Sequence, residues 1–142
     1  MTDNIYDAVI IGAGVIGLAI SRKLAQEGKN ILIIEEQGQI GSVTSSRNSG
    51  VIHAGVYYDK DSLKAKFCPE GNRRMYEYCD SRSVPHLNTG KFIVATSNNE
   101  IEKLENIYDQ AKSVGVIDIE KVSGNQVSNV EPLVKCIEGL YV

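Results

Sequence analysis

The chain has 142 residues, a hydrophobic content of 42% and a formal net charge of −3. This length allows one domain with its own core, and the composition is ordinary for a globular protein. The acidic balance argues against a nucleic-acid partner, because phosphate backbones bind basic surfaces. The three cysteines are widely spaced and form no CxxC pair, which favours reduced thiols and predicts neither a disulfide framework nor a metal site. Reduced thiols predict a cytoplasmic protein, and no apolar run is long enough to cross a bilayer.

The first 36 residues contain a complete pattern for binding a dinucleotide. The pattern predicts a strand at 8–11, a glycine turn at 12–17, a helix through residue 24 and a second strand at 31–34. The turn reads Gly12-Ala13-Gly14-Val15-Ile16-Gly17. All six residues are candidate cofactor-binding residues. A pyrophosphate would lie at the N-terminus of the helix, where unpaired N–H groups and the helix dipole favour negative charge.

Each glycine of this turn has a physical role. Gly12 permits the tight turn, Gly14 lets the backbone approach the pyrophosphate, and Gly17 lets the helix lie against the sheet. The small Ser21 follows one turn later and should help this close packing. A βαβ unit that binds no nucleotide is the alternative interpretation.

An acidic pair ends the second strand. Glu35 stands eighteen residues after Gly17, where a carboxylate can accept hydrogen bonds from the hydroxyls of an adenosine ribose. An acid at this position disfavours a 2′-phosphate, so NADP is not expected. Glu36 is a second candidate, with a solvated side chain as the alternative.

The rest of the chain gives weaker signals. A polar loop over 37–48 precedes a helix at 62–81, which we expect to break near Pro69. Its predicted core contacts are Leu63, Phe67, Met75 and Tyr78.

Beyond Pro85, we expect alternating short elements. A strand at 91–95 and a helix capped by Asn98 or Asn99 and running to Val114 come first. Two short segments at 117–122 and 139–142 follow, separated by a polar loop, and the last is a terminal strand with no obvious partner.

A longer stretch is more specific than the glycine turn. Residues 44–58 read TSSRNSGVIHAGVYY, and SLKAK at 62–66 and YEYC at 76–79 follow. Together with GKFIVA at 90–95 and Glu131-Pro132, these segments resemble the L-2-hydroxyglutarate oxidase and dehydrogenase family. That family belongs to the D-amino-acid-oxidase-like flavoproteins, which also include glycerol-3-phosphate and glycine oxidases.

This resemblance implies FAD, not NAD, as the cofactor and an incomplete chain. The implied fold class is α/β, in which a Rossmann-like FAD-binding βαβ unit precedes the start of an α+β substrate domain. Residues 1–85 would be the first segment of the FAD-binding domain, and residues 86–142 would begin the substrate-binding domain. Family members are much longer, so we expect an N-terminal fragment.

The same resemblance places the loop at 44–49 beside the flavin. Its candidate cofactor-binding residues supply hydroxyls, an amide and a guanidinium, and they are Thr44, Ser45, Ser46, Arg47, Asn48 and Ser49. Such groups can bind a pyrophosphate or a ribityl chain. A solvated polar loop with an exposed arginine is the alternative.

His53 is the candidate catalytic residue. Oxidation of a 2-hydroxy acid releases a hydroxyl proton while the C2 hydrogen leaves as hydride, and histidine is a common proton acceptor near neutral pH. A histidine bonded within a strand region, or one attached covalently to the flavin, are the alternatives. Tyr57, Tyr58, Lys64 and Lys66 could meet a dicarboxylate, although packing roles are more common. His86 is expected at the surface.

The predicted activity is therefore FAD-dependent oxidation of a small-molecule 2-hydroxy acid, foremost L-2-hydroxyglutarate. Glycerol 3-phosphate or an amino acid as substrate, and a truncated non-catalytic nucleotide-binding module, remain alternatives. Family resemblance suggests oxygen or a membrane quinone pool as electron acceptor, so a peripheral association with the membrane is left open.

Overall fold

The structure is a computed structural model that describes residues 5–142. The chain divides into two compact units, with the division between Val51 and Ile52. The expected domain boundary near residue 85 refers to the longer protein and remains a prediction.

The first unit contains the βαβ arrangement. Its elements are β1 (Ala8–Ile11), α1 (Val15–Gln26), β2 (Ile31–Ile34) and a short 3₁₀ turn (Thr44–Ser46). The two strands pair in parallel, with Ala8 opposite Ile31 and Ile11 opposite Ile34. A parallel pair needs a crossover connection, which α1 provides. The predicted strand, helix and strand are therefore confirmed.

The second unit combines helices with a small antiparallel sheet. Its elements are α2 (Leu63–Ser81), β3 (Phe92–Ala95), a 3₁₀ turn (Asn98–Glu100), α3 (Ile101–Ser113), β4 (Glu120–Ser123), α4 (Gly124–Val130) and β5 (Glu138–Tyr141). The strand order is β3-β5-β4. One apolar cluster forms the core, and its buried members are Val56, Ala95, Leu104, Ala111, Val116, Ile119 and Leu140.

The terminal strand does have partners, contrary to expectation. β5 is the central strand of the sheet, where Leu140 lies opposite Ile93 on β3 and opposite Lys121 on β4. Leu140 is 1% exposed. The prediction was wrong because these pairings join segments far apart in the chain, which local patterns do not reveal.

The helix α2 differs from its prediction in two respects. It runs unbroken through Pro69, and its N-terminus is capped by the Ser62 side chain, which accepts a hydrogen bond from the N–H of Ala65. The expected core contacts are exposed, since the exposed fraction is 71% for Leu63, 57% for Phe67 and 45% for both Met75 and Tyr78. The buried residues of the helix are Ala65 and Cys79.

Two smaller corrections concern the start of α3 and the loop after β4. Ser97, not Asn98 or Asn99, forms the capping box, with Glu100 as its partner. The segment expected to be a polar loop contains α4, which starts with a second capping box between Ser123 and Gln126.

Candidate functional site

The glycine turn has the backbone geometry that its sequence predicts. Gly12 has a φ of 95°, a left-handed conformation that glycine adopts without a steric penalty. Its N–H donates to the carbonyl of Ile34 at 2.7 Å. A Cβ at Gly17 would collide with the carbonyl of Gly12 and would lie 3.3 Å from Cγ2 of Ile10. Only glycine therefore allows α1 to pass this close to β1.

The N-cap residue of α1 does not close its N-terminus, but a hydroxyl from the loop after β2 accepts one of its N–H groups. Gly14 is the extended N-cap and has no capping side chain. The N–H of Val15 donates to Oγ of Ser45 at 2.9 Å, and a Cβ at Gly14 would lie 3.1 Å from the same oxygen. The first-turn N–H groups of a helix have no intrahelical acceptor, so this end suits a pyrophosphate. The side chains of Val15 and Ile16 are exposed.

Glu35 is bonded to the glycine turn itself. Its carboxylate accepts the N–H of Ala13 at 2.6 Å and the N–H of Gln37 at 2.9 Å. These backbone donors, Gln37 first and Ala13 second, hold the pKa of the Glu35 carboxyl below its usual range. An ionised carboxylate has about four lone-pair sites, so further acceptor capacity remains for ribose hydroxyls. The neighbouring Glu36 is exposed.

The packing between α1 and the sheet includes one unusual polar atom. Ser21 is 6% exposed, in accordance with its predicted role as a small residue. Its Oγ is buried and has no hydrogen-bond partner among the described residues.

The loop at 44–49 bonds mostly to itself. The amide of Asn48 donates to the carbonyl of Ser45 at 2.9 Å, and its oxygen accepts the N–H of Gly50 at 2.8 Å. Oγ of Ser46 donates to the carbonyl of Val43 at 3.1 Å. Thr44, Arg47 and Ser49 are exposed. Of the six candidates, the structure thus brings Ser45 to the glycine turn.

His53 belongs to the second unit and lies in an irregular segment, not in a strand as one alternative supposed. Its ring is exposed, and Nδ1 lies 2.9 Å from the hydroxyl of Tyr58. The other histidine, His86, was predicted at the surface and is half-buried there. Its Nδ1 contacts the carbonyl of Val84 at 2.9 Å, and its ring lies 5.6 Å from that of Tyr76.

Three contacts of the candidate residues, two in the first unit and one in the second, were not predicted from the sequence: Ala13 with Glu35, Val15 with Ser45, and His53 with Tyr58. The first two join residues distant in sequence, for which no spacing rule exists. The third joins residues five apart in the chain. The adjacent Tyr57 and Tyr58 were the only feature of the sequence that pointed to this contact.

Residues 5–142 contain no group of three or more histidine, cysteine or acidic residues placed to hold a metal ion. None of their helices is both long enough and apolar enough to cross a membrane.

Comparison with known proteins gives consistent results. The chain is 43% identical to the mitochondrial L-2-hydroxyglutarate dehydrogenase of Arabidopsis thaliana over 94% of its own length and 28% of the relative's. For the mitochondrial L-2-hydroxyglutarate dehydrogenase of Dictyostelium discoideum the identity is 41%, over 92% of this chain and 30% of the relative. The chain thus spans less than a third of the length of these relatives.

A solved structure has the same fold. A dithionite-reduced L-α-glycerophosphate oxidase from Mycoplasma pneumoniae with FAD bound matches with a TM-score of 0.76 and 27% identity, over 96% of this chain and 37% of that one. The family model for FAD-dependent oxidoreductases, DAO, matches residues 7–142. The predicted fold class, cofactor and family resemblance are confirmed. This chain belongs to the DAO family of FAD-dependent oxidoreductases.

Proposed function

We propose that the protein containing this chain oxidises L-2-hydroxyglutarate to the 2-oxo acid with FAD as cofactor. The observation that carries the proposal is the 43% identity with an L-2-hydroxyglutarate dehydrogenase over 94% of this chain. The chain would supply the ADP-binding end of the cofactor site and one histidine for proton transfer.

The first unit would bind the cofactor. The pyrophosphate of FAD would lie at the open N-terminus of α1, where N–H groups and the helix dipole favour negative charge. Glu35 would accept hydrogen bonds from the ribose hydroxyls, which is supported by its ionised carboxylate and lowered pKa. The exposed guanidinium of Arg47 could neutralise phosphate charge. Glu36 and the hydroxyls of Thr44, Ser46 and Ser49 would be secondary contacts.

His53 would act as the base. FAD, when bound, accepts the hydride from C2 of the substrate. His53 would take the hydroxyl proton, so that C2 and its oxygen form the carbonyl of the 2-oxo acid. Its exposed ring, with one nitrogen bonded to Tyr58, leaves the other nitrogen accessible.

The two electrons removed from the substrate need a final acceptor. Oxygen or a membrane quinone is the proposed acceptor, and a quinone would require peripheral association with a membrane. A cytoplasmic location is proposed on the sequence, whereas the relatives are named as mitochondrial. In the full-length protein, residues 1–85 would belong to the FAD-binding domain and residues 86–142 to the substrate-binding domain.

The test is to express the full reading frame that contains residues 1–142 and to purify the protein. We expect a yellow preparation whose flavin absorbance bleaches when L-2-hydroxyglutarate is added without oxygen. Protein that remains colourless in excess FAD, or flavin that the substrate does not reduce, would contradict the proposal.

Glycerol 3-phosphate is a second candidate substrate. It is favoured by the TM-score of 0.76 and 27% identity with the Mycoplasma pneumoniae oxidase. Anaerobic reduction with L-2-hydroxyglutarate, glycerol 3-phosphate and glycine in parallel distinguishes these candidates, because the true substrate should bleach the flavin fastest at equal concentration.

A non-catalytic nucleotide-binding module is the candidate from another class. Calorimetric titration of the 142-residue chain with FAD, and separately with NAD, tests it. Micromolar FAD binding by this chain would argue against a remnant without function, and substrate-dependent bleaching of the full-length protein would exclude a non-catalytic module.

A further inference from the structure

The segment from His53 to Tyr58 is irregular but firmly anchored. Val56, in its middle, is 2% exposed and belongs to the core of the second unit. Gly55 has a φ of 97° and lies against α2, where an added Cβ would be 3.1 Å from Cδ of Pro69. A side chain there would meet both backbone strain and a rigid ring.

Polar contacts hold both ends of the same segment. The side-chain amide of Gln110, on α3, donates to the carbonyl of Tyr58 at 2.5 Å. The side-chain amide of Asn72, on α2, donates to the carbonyl of His53 at 3.4 Å. The backbone that carries the histidine and the tyrosine is therefore tied to two helices.

Within this frame, Tyr58 contacts the ring of His53 directly. The phenol oxygen lies 2.9 Å from Nδ1, and the two rings are inclined by 23° with their centroids 6.4 Å apart. The ammonium of Lys64 lies 5.4 Å from the centre of the Tyr58 ring. Tyr58 is half-buried, whereas His53 is exposed.

The direction of this hydrogen bond decides what the other ring nitrogen can do. A phenol can donate or accept, and the tautomer of a neutral imidazole follows the bond that its partner makes. If Nδ1–H donates to the phenol oxygen, Nε2 has a free lone pair and can accept a proton. After protonation at Nε2, the same Nδ1–H bond remains and stabilises the imidazolium.

We infer that Tyr58 is a positioning residue for His53. Its phenol oxygen accepts the Nδ1–H bond of the histidine, and Nε2 is left as the proton-accepting atom. The inference rests on the proposed role of His53 as base. It adds a residue that acts through the histidine and does not itself contact the reacting atoms.

Nitrogen-15 NMR of the chain tests the inference without any activity. The chain has two histidines, so His86 serves as an internal reference. At a pH where the rings are neutral, we expect Nδ1 of His53 to carry the proton in the wild-type chain. Tyr58→Phe should transfer most of it to Nε2, which free imidazole side chains prefer. Tyr57→Phe is the matched control and should leave the His53 signals unchanged.

Two NMR outcomes would overturn the inference. One is an identical pair of His53 nitrogen signals in the wild type and in Tyr58→Phe. The other is a proton on Nε2 in the wild type, since Tyr58 would then be the donor and Nε2 could not act as a base.

Kinetics of the full-length protein separate this inference from the proposed function. Tyr58→Phe should lower kcat roughly tenfold and change KM by less than about twofold, while His53→Gln should lower kcat by about a hundredfold or more. If Tyr58→Phe keeps the wild-type kcat while His53→Gln is slow, the positioning role of Tyr58 is refuted and the proposed base is not. A wild-type kcat in His53→Gln would refute the proposed base, whatever NMR shows for the ring.

Discussion

Each of the two units of the chain is stabilised by a different kind of interaction. Among the described residues of the first unit, the buried ones are Ala13 and Ser21, while large side chains such as Ile11 and Ile16 are 87% and 73% exposed. The second unit buries ten apolar residues, including Leu140, Ile119 and Val127. The cofactor turn therefore owes its shape to backbone geometry and hydrogen bonds, whereas the second unit owes its shape to a packed core.

The largest expected effect is on the core of the second unit. Leu140→Ala should lower the free energy of unfolding by about 2–5 kcal/mol, because Leu140 is 1% exposed on the central strand. Chemical denaturation monitored by circular dichroism measures this change. The matched variant Ile11→Ala removes an 87% exposed side chain from the first unit and should cost less than about 0.5 kcal/mol. Equal losses in both variants would contradict the contrast between the units.

The next effect concerns the glycine turn. Gly17→Ala places a methyl group against the carbonyl of Gly12. This clash should raise the free energy of the observed turn conformation by about 1–3 kcal/mol. FAD binding by the full-length protein should weaken by about tenfold or more. The control is Gly38→Ala in the same unit, where a Cβ would meet nothing within 4 Å. Calorimetric titration with FAD measures both, and unchanged affinity in Gly17→Ala would show that the close approach is not needed.

A moderate effect is expected at the start of α3. Ser97→Ala removes the side-chain half of the capping box with Glu100 and should destabilise the second unit by about 1 kcal/mol. Asn98→Ala alters the residue that the sequence predicted as the cap and should change stability by less than about 0.5 kcal/mol. The same denaturation experiment ranks the two variants. A larger loss in Asn98→Ala would contradict the capping role of Ser97.

The smallest expected effect is a pH dependence of the stability of the first unit. The pKa of Glu35 is lowered from 4.5 by the N–H groups of Gln37 and Ala13, so its contribution to stability is present above pH 4.5 and disappears as the pH falls through the folded pKa. Wild type should therefore exceed Glu35→Gln in stability more at pH 7 than at low pH. Hydrogen exchange of the Ala13 N–H, followed against pH in both proteins, measures it. A pH-independent difference would exclude the carboxylate as the cause.

The contrast between the units also explains what could be read from the sequence. The βαβ unit was predictable because its glycines, strands and terminal acid occur at fixed spacings along the sequence. The pairing of β5 with β3 and β4 was not, since it joins residues that lie 15 to 49 positions apart in the chain. The apolar face of α2 was assigned to the core, yet its Leu63 and Phe67 are exposed, because periodicity identifies an apolar face and not the surface that covers it.

The candidate site follows the same division. Gly12, Gly14, Gly17 and Glu35 were identified as a group by their spacing, and the structure joins the turn to Glu35. The hydrogen bonds of Ser45 to the glycine turn and of Tyr58 to His53 became evident only from the three-dimensional structure. A list of polar residues in a loop does not state which hydroxyl reaches a helix N-terminus.

The most direct measurement of the central claim is a crystal structure of the full-length protein with FAD bound. The pyrophosphate should lie within hydrogen-bonding distance of the N–H groups at the start of α1, with the Glu35 carboxylate on the ribose hydroxyls. A pyrophosphate bound elsewhere, with the 12–17 turn free of the cofactor, would contradict the claim.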